Sequence, residues 1–139
     1  MRKQVYGFII LFLVVFIGLS IAYMRDKKLE NNFIAIRGNV TGLETTVQNP
    51  EVFVRFKFTK ININHNGISS IFGSHKTHDF KFLDSLLKNQ SLPIVFQKDN
   101  PSNNKMLFSK KDCKEYKVQL SPLEDRIINT IDSLVKSEK

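Results

Sequence analysis

The sequence predicts an α+β fold: an N-terminal transmembrane helix, then a small, mostly antiparallel β domain of about five strands, barrel- or meander-like, then a C-terminal amphipathic helix. Three observations carry that class. Residues 5–23 (VYGFIILFLVVFIGLSIAY) contain no charge; Val52, Val54, Phe56 and Phe58 fall on every second position; and Ser121-Pro122-Leu123-Glu124 opens an apolar stripe at helical spacing. The chain divides accordingly into a basic N-terminus (1–4), a transmembrane helix acting as a signal anchor (5–23), a stem (24–32), a β-rich domain (33–120) and the C-terminal helix (121–139).

A helix rising about 1.5 Å per residue needs roughly 20 apolar residues to cross a hydrocarbon core of about 30 Å, and residues 5–23 meet that length. No polar face interrupts the run, which tells against a buried helix of a soluble protein. The competing reading is a secreted domain with a signal peptide cleaved at Ala22, since Arg2 and Lys3 form a basic leader and Ser20-Ile21-Ala22 resembles a small-x-small site. An apolar core that continues to the interfacial aromatic Tyr23, ahead of Met24-Arg25-Asp26-Lys27-Lys28, favours a retained, single-pass anchor. Basic residues nearly balance across the span, and the minimal N-terminal tail points to export of the larger C-terminal part. The lipid bilayer is thus the expected partner of residues 5–23. Met24 to Asn32 carry the helix out of the membrane or form a short polar stem.

Phe33 to Val40 reads as a first strand, followed by a connection from Gly42 to Pro50 punctuated by Gly, Asn and Pro. Val52 to Thr59 has the period of a strand with one buried face, and Phe53 suggests partial cover on the other. Asn66-Gly67 suits a tight turn, because both residues accept positive φ, with Ile68 to Phe72 as the returning strand. Asp79 to Lys88 places Phe82 or Leu83 against Leu86 and Leu87 at helical spacing, with Asn89 as the stop. Leu92 to Gln97 is the next strand, its Pro93 suited to an edge or a first position. A turn is expected where Asp99-Asn100-Pro101 bends the chain and Asn103-Asn104 closes it, ahead of a strand over Lys105 to Phe108.

Ser109, with Asp112 three places on, predicts a short capped helix to Tyr116. Ser121, Pro122 and Glu124 form an N-cap, a first-turn proline and a reciprocal capping acid, so each orphan amide at that helix start is satisfied or absent. Leu123, Ile127, Ile128, Ile131, Leu134 and Val135 then make the apolar stripe of a helix that packs on the domain's own sheet.

The net charge of +8 falls to +6 once residues 1–23 are set aside, so a possible anionic surface is a candidate partner; the scattered lysines otherwise describe a solvated exterior. Chemistry is sparsely signalled. His75 and His78 stand as H-x-x-H, short of the three or four ligands a metal site needs. Cys113 is the single thiol and offers no disulfide framework. Arg55-Phe56-Lys57-Phe58 interleaves bases with aromatics, as a stacking platform does, but Phe56 and Phe58 share the face predicted to be core; no specific nucleic acid is expected. No hydrolase or phosphate-loop motif is present. The expectation is a non-enzymatic interaction or accessory domain with an unknown protein partner, with no catalytic, cofactor-binding or metal residue assigned. A basic domain that binds anionic lipid or nucleic acid is the alternative.

The run Pro93-Ile94-Val95-Phe96, Asn100-Pro101, Met106-Leu107-Phe108, Asp112-Cys113 and Tyr116, with Gly38-Asn39-Val40 upstream, resembles a pattern of small bacterial membrane-anchored β-domain proteins of unknown function (P-V-x-Y, N-P, L-L, D-F-x-x-Y). The likeness spans residues 33–118, with about 25 specific positions. Phe96 stands where the pattern has tyrosine, Cys113 takes its aromatic position, and Ile61 to His78 lacks its N-G-K-x-Y strand. The resemblance implies a small β-rich domain tethered to a membrane and brings no catalytic residues.

Overall fold

A computed structural model describes residues 2–46, 49–71 and 77–136. In chain order these form α1 (Arg2–Asn31), β1 (Phe33–Thr46), β2 (Asn49–Lys60), β3 (Ile63–Ile71), α2 (Thr77–Leu87), β4 (Ser91–Gln97), β5 (Asn100–Met106), α3 (Lys110–Glu115) and α4 (Pro122–Lys136). The five strands make one antiparallel sheet in the order β3-β2-β1-β4-β5, and its two end strands curl toward each other into a nearly closed barrel.

Closure comes from β1. Its first half, Phe33 to Asn39, pairs with β4, and its second half, Asn39 to Thr46, pairs with β2. Between them the register shifts at Val40/Gly42, a bulge that increases local twist and turns the strand from one partner to the other. The expected connection from Gly42 to Pro50 is therefore mostly strand: cross-strand pairing to Thr46 and from Asn49 outweighs the turn propensity of its glycine and proline.

The inner faces carry the core. Val52, Val54, Phe56 and Phe58 of β2 meet Leu92, Ile94 and Phe96 of β4 and Met106 of β5, all buried. Phe58 stacks on Phe96, with centroids 5.2 Å apart, and on His65 at the same separation. Leu83 and Leu87 of α2 and Ile127 and Ile131 of α4 complete this core. A second cluster lies on the outer side of β4, where Val95 meets Leu29 of α1, Leu107, Cys113 of α3, Tyr116 at the end of that helix, and Ile128 of α4. Phe33 packs edge-on against Tyr116 at 4.9 Å. β4 is consequently buried on both faces from Leu92 to Phe96, which explains its unbroken apolar sequence.

Two turns fall elsewhere than the sequence suggests. β2 and β3 are joined by Ile61 and Asn62, both at positive φ (48° and 60°), while Asn66 and Gly67 lie inside β3. Gly67 serves close approach: a Cβ there would stand 2.2 Å from Phe56 Cζ and 2.3 Å from Asn104 Oδ1. Likewise Gln97 pairs directly with Asn100, so Lys98 and Asp99 form the turn and Asn100 to Asn104 belong to β5. Pro93 lies within β4, an interior strand, at neither an edge nor a first position. Its carbonyl accepts from Leu107 N–H just past the β5 ladder, and its nitrogen, which carries no hydrogen, faces that same side, so the ladder between β1 and β4 loses no bond.

The helix signals are realised. Asp112 N–H donates to Ser109 Oγ; Ser121 N–H donates to Glu124 Oε2 at 2.6 Å while Glu124 N–H donates to Ser121 Oγ at 3.3 Å; and Asn89 ends α2 at φ 60°. In the α4 stripe Leu123 is exposed, because the first turn aims Glu124 at β1 instead.

Candidate functional site

α1 contains a stretch, Phe8–Asn31, long and apolar enough to cross a membrane, whose most apolar window has mean hydropathy 2.4 and no buried residue. Of the two readings of Met24 to Asn32, α1 follows the one in which these residues continue the helix. It runs unbroken to Asn31, and Leu29 is only 3 % exposed in the cluster outside β4. One turn earlier Arg25 meets β5: Arg25 Nε donates to Asn103 Oδ1 at 2.9 Å, Arg25 Nη2 makes a longer contact of 3.4 Å to Ser102 O, and Asn103 Nδ2 donates back to Arg25 O at 3.0 Å and to Gln97 Oε1 at 3.1 Å. Asn103 is buried, and its amide satisfies both strand and helix; an unpaired amide there would cost about 1–3 kcal/mol. Asn32 Nδ2 to Asp99 Oδ2, 2.9 Å, fastens the exit of the helix to the β4–β5 turn.

Beside this joint lies a trough of about 600 Å³ over the outer face of β2 and β3, lined by Arg25, Arg55, Lys57, Asn66, Ser102 and Asn104 among others. Arg55 pairs with Glu44 at 2.8 Å, both half-exposed, an exchange worth about 0–1 kcal/mol that leaves the arginine able to change partners. Among the described residues no acid pairs with Arg25 or Lys57. The trough is thus a cationic, hydrogen-bonding surface suited to an anion.

The other sequence candidates separate. His75 lies outside the described residues, and of His78 only the backbone, in the first turn of α2, is described. Among the described residues no group of three or more His, Cys, Asp and Glu comes together. Cys113 is buried, and burial, helped by nearby Asp112, pushes its thiol up to about 11, so it is protonated at neutral pH and a poor nucleophile. Phe56 and Phe58 are core residues, closed to stacking by a base. Glu124 is buried and engaged by Arg37 at 2.7 Å. Burial raises its pKa, but hydrogen bonds from Arg37 and Ser121 outweigh this and hold it below the ordinary glutamate range. That pair fastens α4 to β1.

Arg25 and Asn103, the centre of the helix–barrel joint, carry no sequence signal as a pair. They are 78 positions apart, and each sits in a polar run that reads as solvated. Comparison with family models, with curated proteins and with solved structures finds no match for the chain.

Proposed function

We propose that this chain is a single-pass membrane protein, with α1 as an uncleaved signal anchor and the β domain as a non-enzymatic interaction or accessory module on the exported side. The observation that supports this best is the continuity of α1. The helix that carries the apolar stretch is the same helix whose Leu29 and Arg25 are built into the domain, so the barrel is held at a fixed orientation to the membrane instead of swinging on a tether. Exposed isoleucines on the outer face of β3 (Ile68) and at the β2–β3 turn (Ile61 and Ile63) fit a protein partner at the same membrane surface. The buried, protonated Cys113 and the fully engaged Glu124 favour binding over catalysis.

Alkaline extraction of membranes, combined with paired C-terminal fusions active only inside or only outside the cytoplasm, tests the reading. The expected outcome is a chain that resists extraction with the outside reporter active; a chain released into the supernatant refutes the anchor. A second reading, cleavage after Ala22 to give a secreted domain, is favoured by one observation: the docking side chains Arg25 and Leu29 lie beyond that point and would stay with the domain. The intact mass of the mature protein separates the two.

A further inference from the structure

Arg25 stands where two clefts meet. One is the cationic trough over β2 and β3. The other, about 550 Å³, runs between α1 and the seam where β3 faces β5; Gly18, Ile21 and Ala22 form its helix side, and Ser69 and Lys105 are on its barrel side. One surface therefore passes from the apolar run of the helix, across a guanidinium, to two further cations. We propose that this junction binds an anionic phospholipid of the surrounding leaflet, with an acyl chain along Gly18 to Ala22, the phosphate on Arg25 and the headgroup turned toward Arg55 and Lys57.

The inference rests on the membrane-anchored reading, and three observations carry it. Arg25 is positioned entirely by neutral acceptors, Asn103 Oδ1 and Ser102 O, so its charge is fixed in place yet unspent, and its remaining N–H groups are available to a phosphate. Arg25 follows Ala22 by three residues, about 4.5 Å along the helix, which fits the depth of a headgroup layer roughly 5–7 Å thick on each side of the hydrocarbon. Two acids line the cleft beside α1, and neither is paired with Arg25: Asp112 is held by Lys105 at 3.2 Å, and among the described residues no ion pair joins Asp26 to the guanidinium. An added peptide strand is a poorer occupant of the seam. β3 and β5 approach within 8 Å, and Met106 N–H donates across to Ser69 Oγ at 2.8 Å, whereas an inserted strand needs about 4.8 Å on each side.

The test uses the full chain in mild detergent, with phosphatidylglycerol or phosphatidylcholine titrated in and bound lipid read by native mass spectrometry. Phosphatidylglycerol is expected to be retained as a single adduct, and Arg25→Gln to lower its retention about tenfold, the loss of one charge-assisted contact. Gly18→Phe should do the same while leaving Arg25 untouched, because a side chain built at Gly18 meets nothing within 4 Å and projects into open space. Lys81→Gln, on the exposed side of α2, should change nothing, and millimolar inorganic phosphate should not displace the lipid. Equal retention by the wild type and both cleft variants, equal retention of the two lipids, or displacement by free phosphate would each overturn the proposal. Flotation of the same chain with phosphatidylglycerol vesicles keeps the two readings apart: a chain that floats without selective retention defeats the lipid site alone, and one that does not float defeats the anchor and the site with it.

Discussion

The two halves of the barrel are built differently. Around β4 the sheet has helices on its outer side, and the strand is buried on both faces; around β2 and β3 the outer side carries Arg55, Lys57, Asn66 and Ile68 in solvent. The covered half has its positions dictated by packing, whereas the bare half is free to carry charge and exposed isoleucine. Binding is therefore sought on the bare half, and stability on the covered one.

The contrast can be broken most directly by truncation. Ile128→Ala, in the helical cover outside β4, should cost about 2–5 kcal/mol in urea unfolding, while Ile68→Ala on the bare face should stay within about 0.5 kcal/mol; similar losses would mean that both outer sides are equally packed. Gly67 is where the bare half touches the core. Gly67→Ala should destabilise by about 1–3 kcal/mol through collision with Phe56, and a second change, Phe56→Leu, should recover part of that loss. The joint between β1 and α4 is expected to be weaker. Glu124→Gln should cost about 1 kcal/mol at neutral pH, since Arg37 is 43 % exposed and the pair is screened. Because the folded pKa of Glu124 is depressed, its contribution is complete above the ordinary glutamate value and disappears as pH falls through the lower folded value. Wild type and variant should converge in acid, and a constant gap down to low pH would assign the effect to packing alone. The smallest expected effect has the opposite sign: replacing Ile61-Asn62 by Asn-Gly should stabilise by about 0.5–1 kcal/mol, since a β-branched residue at φ 48° is strained, and thermal unfolding would record a rise.

The same contrast explains what the sequence disclosed. Val52 to Phe58 alternates because only one of its faces is covered, and the N-cap at Ser109 and the capping box at Ser121 are local chemistry, so strand and helices were legible. The Asn66-Gly67 pair misled because the same absence of a Cβ that suits a turn also admits the ring of Phe56, and only tertiary contact tells the two uses apart. The actual turn at Ile61-Asn62 has a residue that disfavours it, and the β4–β5 turn hid behind the stronger Asn-Pro signal. Of the candidate site, Arg55 and Lys57 were visible as a basic strand face. The contribution of Arg25 depends on Asn103, and no local pattern links residues so distant in the chain.

The unbroken α1 makes the chain a shaft with its head keyed to it. With about 3.6 residues per turn, one residue inserted between Ala22 and Arg25 would rotate the barrel roughly 100° and lift it about 1.5 Å, aiming Arg55 and Lys57 along a different compass bearing around the apolar segment's axis. Where the head points is thus encoded as a residue count.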